Sequence, residues 1–194
     1  MKLLNSDEPM PEVFYVFVNL RSPITAHNFA VGGFTSAAFN SFGVDGFLEK
    51  YLEGSARYLP YEPVRTDLPA ASPFLMSTVG NYRVEYDVES FRERHHPLLP
   101  SRLSAIYAFG SADACKLACD RYQWDIRQVR RFRLRDHILN RVARVDMELI
   151  SLARQSYGMP DAFCQHYWSG RSAQIGEYEP LWEYLIEGVL ERLD

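Results

Sequence analysis

Apolar residues along the chain group into short runs separated by Pro, Gly and Ser, and the runs change period from one to the next. Glu12–Leu20 (EVFYVFVNL) is rich in Val, Phe and Tyr and predicts a buried first strand. Arg21-Ser22-Pro23 ends it, because the residue before a proline favours extended or turn backbone. Thr35–Glu53 carries Ala38, Phe42, Phe47, Leu48 and Leu52 at broadly helical spacing, with Gly43 and Gly46 dividing it into two short helices. Gly54–Gly80 is Pro-, Tyr- and Ser-rich and predicts a long irregular segment, read either as a substrate loop or as surface packing. Val84–Arg94 predicts a short helix that stops at His95-His96-Pro97.

The second half of the chain is patterned more tightly. Arg102–Phe109 predicts a strand, and Ser111 caps a helix that runs to about Tyr122. Gln128–Arg135 and Arg141–Leu149 predict two more strands. In the latter, Val145, Met147 and Leu149 alternate with Asp146 and Glu148, the period of a half-exposed sheet. Asp161–Trp168 predicts a short helix and Trp182–Leu190 a final strand. Residues 1–11, with Pro9 and Pro11, predict a disordered lead, and 12–194 a single α+β domain.

Composition adds limits. At 194 residues, 47% apolar and 24% charged, the chain can bury a core and is not of disordered type. No apolar run reaches the roughly 18 residues that a membrane span needs. The start, MKLLNSDEPMPE, has no apolar core of signal-peptide length, so the expected location is cytoplasmic, or a target cell reached by another export signal. Cys115 and Cys119, four apart on a helix, and the remote Cys164 read as buried thiols of a reducing compartment. The net charge of −4 conceals an arginine band: Arg121, Arg127, Arg130, Arg131, Arg133, Arg135, Arg141 and Arg144. Guanidinium forks suit phosphate, so the band fits an anionic partner such as RNA; the preferred reading is a solvated strand face paired with Asp125, Asp136, Asp146 and Glu148.

The chemistry is not that of a common hydrolase or nucleoside-triphosphatase. The chain has no GxSxG, Walker glycine loop, HExxH or CxxC. Two segments carry the candidate site. Ser101–Asp120 sets a Pro-Ser-Arg turn before an apolar strand and a serine-capped helix after it, a layout suited to an anion. Leu181–Arg192 (LWEYLIEGVLER) sets Glu183 and Glu187 on one face of an apolar strand, where a carboxylate needs a partner. Arg102 would supply one for Glu187 without any catalysis.

The string FRERHHPLLPSRLSAIYAFGSADACKLACDRYQW, followed by HYWSG and LWEYLIEGVL, resembles a small bacterial family of unknown function over roughly residues 84–191. That family in turn resembles the ADP-ribosyltransferase fold, two small packed sheets with flanking helices. The resemblance implies NAD as substrate and transfer of ADP-ribose to a macromolecular acceptor, protein or nucleic acid, with no membrane partner. Toxins, effectors and phage-conflict factors are common roles in that fold class. It also implies site roles: Arg21 as the first-strand arginine, Ser101 or Ser104 as the middle-strand serine, and Glu187, with Glu183 as its competitor, as the catalytic glutamate. Tyr15, Arg102 and Trp168 join the NAD-binding set. The chain departs from the pattern in two places: Val16, not His, follows Tyr15, and no Glu-x-Glu is present, which speaks against arginine as the acceptor. The alternative is a non-catalytic nucleotide- or protein-binding module on the same scaffold.

Overall fold

A computed structural model describes residues 2–58, 73–155, 158–172 and 179–193. The order is β1 (Phe14–Phe17), α1 (Pro23–Ala30), β2 (Gly33–Thr35), α2 (Ala37–Asn40), α3 (Phe47–Glu53), α4 (Pro73–His95), β3 (Ile106–Ala108) and α5 (Ala112–Tyr122). A 3-10 turn (Ile126–Gln128) follows, then β4 (Val129–Leu134), β5 (Arg141–Asp146), α6 (Met147–Gln155), α7 (Asp161–Ser169), β6 (Trp182–Glu187) and β7 (Val189–Arg192). This is a mixed α and β fold with two small antiparallel sheets and, among the described residues, seven helices.

The first sheet runs β1-β4-β7-β2 and the second β3-β6-β5. Strand alternation gives each an apolar face, and the two faces meet: Phe14, Val16, Phe132, Leu134 and Leu190 pack against Ala108, Val142, Tyr184 and Ile186. The other face of the second sheet is covered by helices. There Val84, Val88 and Phe91 of α4, Leu149 and Ile150 of α6, and Tyr167 and Trp168 of α7 pack on Ala143, Val145 and Leu185. The order is sheet, sheet, helices.

One strand passes from sheet to sheet. β6 belongs to the second sheet and β7 to the first, and Gly188 lies between them. A Cβ at Gly188 would come within 2.8 Å of both Asn140 Oδ1 and Leu134 Cδ1. Ser36 clamps the crossing, accepting from Gly188 N at 3.0 Å and donating its own N–H to Gly188 O at 3.0 Å. The glycine thus makes room for the chain's own residues at the crossing. A second seam joins the sheets where Tyr15 and Phe109 exchange backbone hydrogen bonds of 2.8 Å.

Several boundaries differ from the sequence pattern for local reasons. α1 starts at Ser22-Pro23, where the serine accepts from Thr25 N and the proline sits in the first turn; the pair is a helix start as well as a strand stop. α4 begins at Pro73, so the backbone of 73–80 is helical where an irregular segment was expected. Of that segment, 59–72 lie outside the described residues. Ser101–Ser104 is a turn, with β3 starting only at Ile106, because the Ser101 carbonyl accepts from Ser104 N and Ala105 N and its hydroxyl from Leu103 N. β5 stops at Asp146, which accepts from Glu148 N at 3.1 Å as the cap of α6, so Met147 and Leu149 are helical. The lead, expected to be disordered, runs beside β5: Leu3 is buried, Leu4 N donates to Val142 O, and Asn5 brackets the Arg144 backbone.

Candidate functional site

β6 presents Glu183, Leu185 and Glu187 to the helical layer and Trp182, Tyr184 and Ile186 to the other sheet. Glu187 is the last residue before the Gly188 crossing and is 1% exposed. Its Oε1 accepts two hydrogen bonds from the Ser101–Ser104 turn, from Ser101 N at 3.1 Å and Ser104 Oγ at 2.7 Å. Its Oε2 has no hydrogen-bond partner among the described residues. The desolvation of that idle oxygen goes uncompensated, as it does for Glu89 Oε2 and Glu93 Oε1.

Its surroundings are aromatic and cationic. Arg141 stands directly opposite Glu187 in the β5–β6 register, and its guanidinium lies 3.7 Å from the centroid of the Tyr51 ring and donates to the Tyr51 carbonyl. The Tyr51 hydroxyl donates to Leu139 O at 2.9 Å and lies close enough to the Glu187 carboxylate to feel its charge and its hydrogen-bonding. Tyr58 adds a second phenol against Ser104 and Glu187. Burial pushes the Glu187 carboxyl above the usual carboxylate range, and the Ser104 hydroxyl, Ser101 N–H, Arg141 and Arg92 act against that rise. Burial, with the Glu187 charge, raises both phenols, Tyr58 to about 12, so they stay protonated near neutrality.

Arg92 is buried and makes four hydrogen bonds. It donates through Nε and Nη2 to Glu89 Oε1, at 3.1 and 2.7 Å, and through Nη1 to the carbonyls of Pro97 and Leu99 at 3.0 and 3.2 Å. It ties α4 to the loop that delivers Ser101. Glu89 Oε2, like Glu187 Oε2, is buried without a partner among the described residues.

Glu183 lies in a separate polar cluster two positions along the same face. Arg102 does not pair with Glu187; it grips Glu85 of α4 through Nε (2.8 Å) and Nη2 (3.0 Å) and donates to the Tyr167 hydroxyl. Burial raises the Glu183 carboxyl to about 7, with nearby Arg102 pulling it down. Glu85 also takes Arg154 at 3.2 Å.

The remaining expected site residues fall elsewhere. Arg21 is exposed on the turn after β1, with Asp125 as its acidic neighbour. Tyr15 sits in the β1–Phe109 seam against the small cluster of Phe109, Cys115, Ala118 and Leu181. Trp168 is fully buried, donates Nε1 to Val88 O at 3.1 Å and meets Tyr167 edge to face. The geometry therefore brings together Ser101, Ser104 and Glu187, with Glu183 and Arg102 adjacent, and leaves Arg21, Tyr15 and Trp168 apart from them.

The start of α5 adjoins a cleft of about 360 Å³ lined by Gly110, Ser111, Asp113, Leu117, Trp182 and Tyr184 among others. Ser111 Oγ is used by Ala114 N at 3.1 Å, and Asp113 puts a negative charge in the first turn. The anion layout expected there is thus already occupied by the chain itself. Tyr184 faces away from Glu187, so cleft and carboxylate lie on opposite sides of β6. Much of the arginine band is paired: Arg133 and Arg135 with Glu191, Arg127 with Asp125, Arg121 with Glu148 and Glu179. Among the described residues no cluster of His, Cys, Asp and Glu is placed to hold a metal ion, and no helix is long and apolar enough to cross a membrane.

Sequence reasoning missed Arg92, Arg141, Tyr51 and Tyr58. The one local signal was Arg92 three residues after Glu89 on a helix, a spacing that pairs them; the others meet Glu187 only through register and long-range packing. No protein-family model matches the chain, and no match is found among curated proteins.

Proposed function

We propose that this chain is an ADP-ribosyltransferase-like protein that takes NAD as substrate and modifies a macromolecule, with Glu187 as its reacting carboxylate. The observation that carries the reading is Glu187 Oε2, buried and without a partner while Oε1 is held by two donors. The carboxylate is oriented through one oxygen, and the other is left without a partner among the described residues.

In that reaction the bond between ribose C1′ and the nicotinamide nitrogen breaks, and its electron pair leaves with nicotinamide. The acceptor's nucleophile forms the new bond to C1′ and loses a proton to solvent or base. Positive charge develops on the ribose as the bond opens, and an ionised Glu187 stabilises it. Ser101 and Ser104 hold the carboxylate still and favour its ionised form; Arg141 and Arg92 favour it through their charge. Tyr51 and Tyr58 wall the site, and at 1% exposure Glu187 meets a ligand only where those walls give way.

The test is nicotinamide release from NAD by wild type and by Glu187→Gln, which keeps size and removes charge. The variant is expected to lose about 100- to 1,000-fold, the usual cost of removing one stabiliser of transition-state charge. Equal release by the folded variant refutes the assignment. A binding module on the same scaffold is favoured by the closure over Glu187; it predicts NAD affinity in calorimetry with no nicotinamide released by wild type.

A further inference from the structure

Both buried glutamates of β6 are met by neighbouring residues of one four-residue turn. Ser101 and Ser104 hold Glu187, while Arg102, between them in sequence, puts its charge near Glu183. The Arg102 side chain is braced on three elements. Glu85 of α4 takes two of its nitrogens, Tyr167 of α7 a third, and its guanidinium carbon lies 5.2 Å from the ring centroid of Tyr107 in β3. The Tyr107 hydroxyl returns to the same residue, donating to the Arg102 carbonyl at 2.6 Å. Arg102 is therefore held at its side chain and at its backbone, one residue after Ser101 and two before Ser104, the two groups that set Glu187 Oε1.

We propose that Arg102 is a positioning residue: anchored by Glu85, Tyr167 and Tyr107, it fixes the Ser101–Ser104 turn so that both of the turn's donors reach one oxygen of Glu187. This deepens the ADP-ribosyltransferase-like reading and rests on it for its catalytic consequence, not for its structural one. It also departs from the role that the family resemblance implies for Arg102, direct contact with NAD. At 7% exposure, with three of its five N–H donors given to Glu85 and Tyr167, the guanidinium is committed to the fold's interior. Lysine cannot replace it, because a single ammonium lacks the planar fork that spans Glu85 and reaches Tyr167 together.

The experiment measures Glu187 itself. Its side-chain carboxyl carbon is titrated by ¹³C NMR in wild type, Arg102→Lys and Tyr107→Phe, beside kcat and KM for nicotinamide release from NAD. The groups facing Glu187 from α3, α4 and β5 (Tyr51, Arg92 and Arg141) and Tyr58 are unchanged in both variants, so a shift reports the turn. A loosened turn weakens the two donors, and the Glu187 midpoint is expected to move up by about half a pH unit or more. kcat at neutral pH is expected to fall about fivefold or more with KM unchanged. A folded variant whose Glu187 titrates as in wild type overturns the proposal. So does a rise in KM at constant kcat, which assigns Arg102 to NAD contact. Tyr107→Phe removes one hydroxyl and serves if Arg102→Lys does not fold. If wild type releases no nicotinamide but the midpoint still moves, the positioning role stands and the enzymatic reading fails.

Discussion

The 2.7 Å bond from Ser104 to Glu187 Oε1 governs how much of that carboxylate is charged near neutral pH. Burial raises the carboxyl and the serine hydroxyl opposes the rise, so Ser104→Ala removes an opposing influence and the midpoint climbs further. The expected result is a lower rate of nicotinamide release at pH 7 that recovers partly as pH increases, read from a pH–rate profile; a uniform loss at all pH values speaks against this role. Glu183 gives a separate prediction about stability. Its folded-state value of about 7 lies above the ordinary 4.5, so the folded state favours its protonated form. Its contribution is fully present below about 4.5 and is lost as pH rises through about 7. Glu183→Gln is expected to gain stability over wild type between pH 5 and pH 8, by on the order of 3 kcal/mol at most, in urea unfolding at the two pH values. A pH-independent difference contradicts it. Period-two spacing places both glutamates on one face but does not give the cationic and phenolic neighbours they meet there.

Among elements, those whose pattern was continuous were legible, and those that change type within a pattern were not. β4 and α7 fall close to their expected ranges. The run from Arg141 to Leu149 alternates cleanly, yet Asp146 ends the strand by capping α6, so one residue's side-chain hydrogen bond outweighs the apparent period. The final apolar run reads as one strand, and Gly188 divides it between two sheets. Gly188 has no room beside it for a ligand: Asn140, Leu134 and Ser36 fill the space. Gly188→Ala is therefore expected to destabilise by about 1–3 kcal/mol through overpacking, measured by denaturant midpoint. A neutral substitution would mean the crossing is looser than its 2.8 Å contacts imply.

For the molecule as a whole, the two-sheet mixed fold was expected and is found, and the Ser–Glu half of the candidate site was legible because its motifs are local. The cationic half was not. Arg21 was assigned from motif order, but the guanidinium groups near Glu187 are those of Arg92 and Arg141, placed by a helix turn and by strand register. The central claim is that Glu187 reacts as a carboxylate held by Ser101 and Ser104. The most direct measurement is the pH dependence of nicotinamide release from NAD, with Glu187→Gln beside wild type. The account predicts activity that rises with pH through a midpoint above the usual carboxylate range, and loss of both rate and that limb in the variant. A folded Glu187→Gln protein with the wild-type rate and the wild-type profile would contradict it.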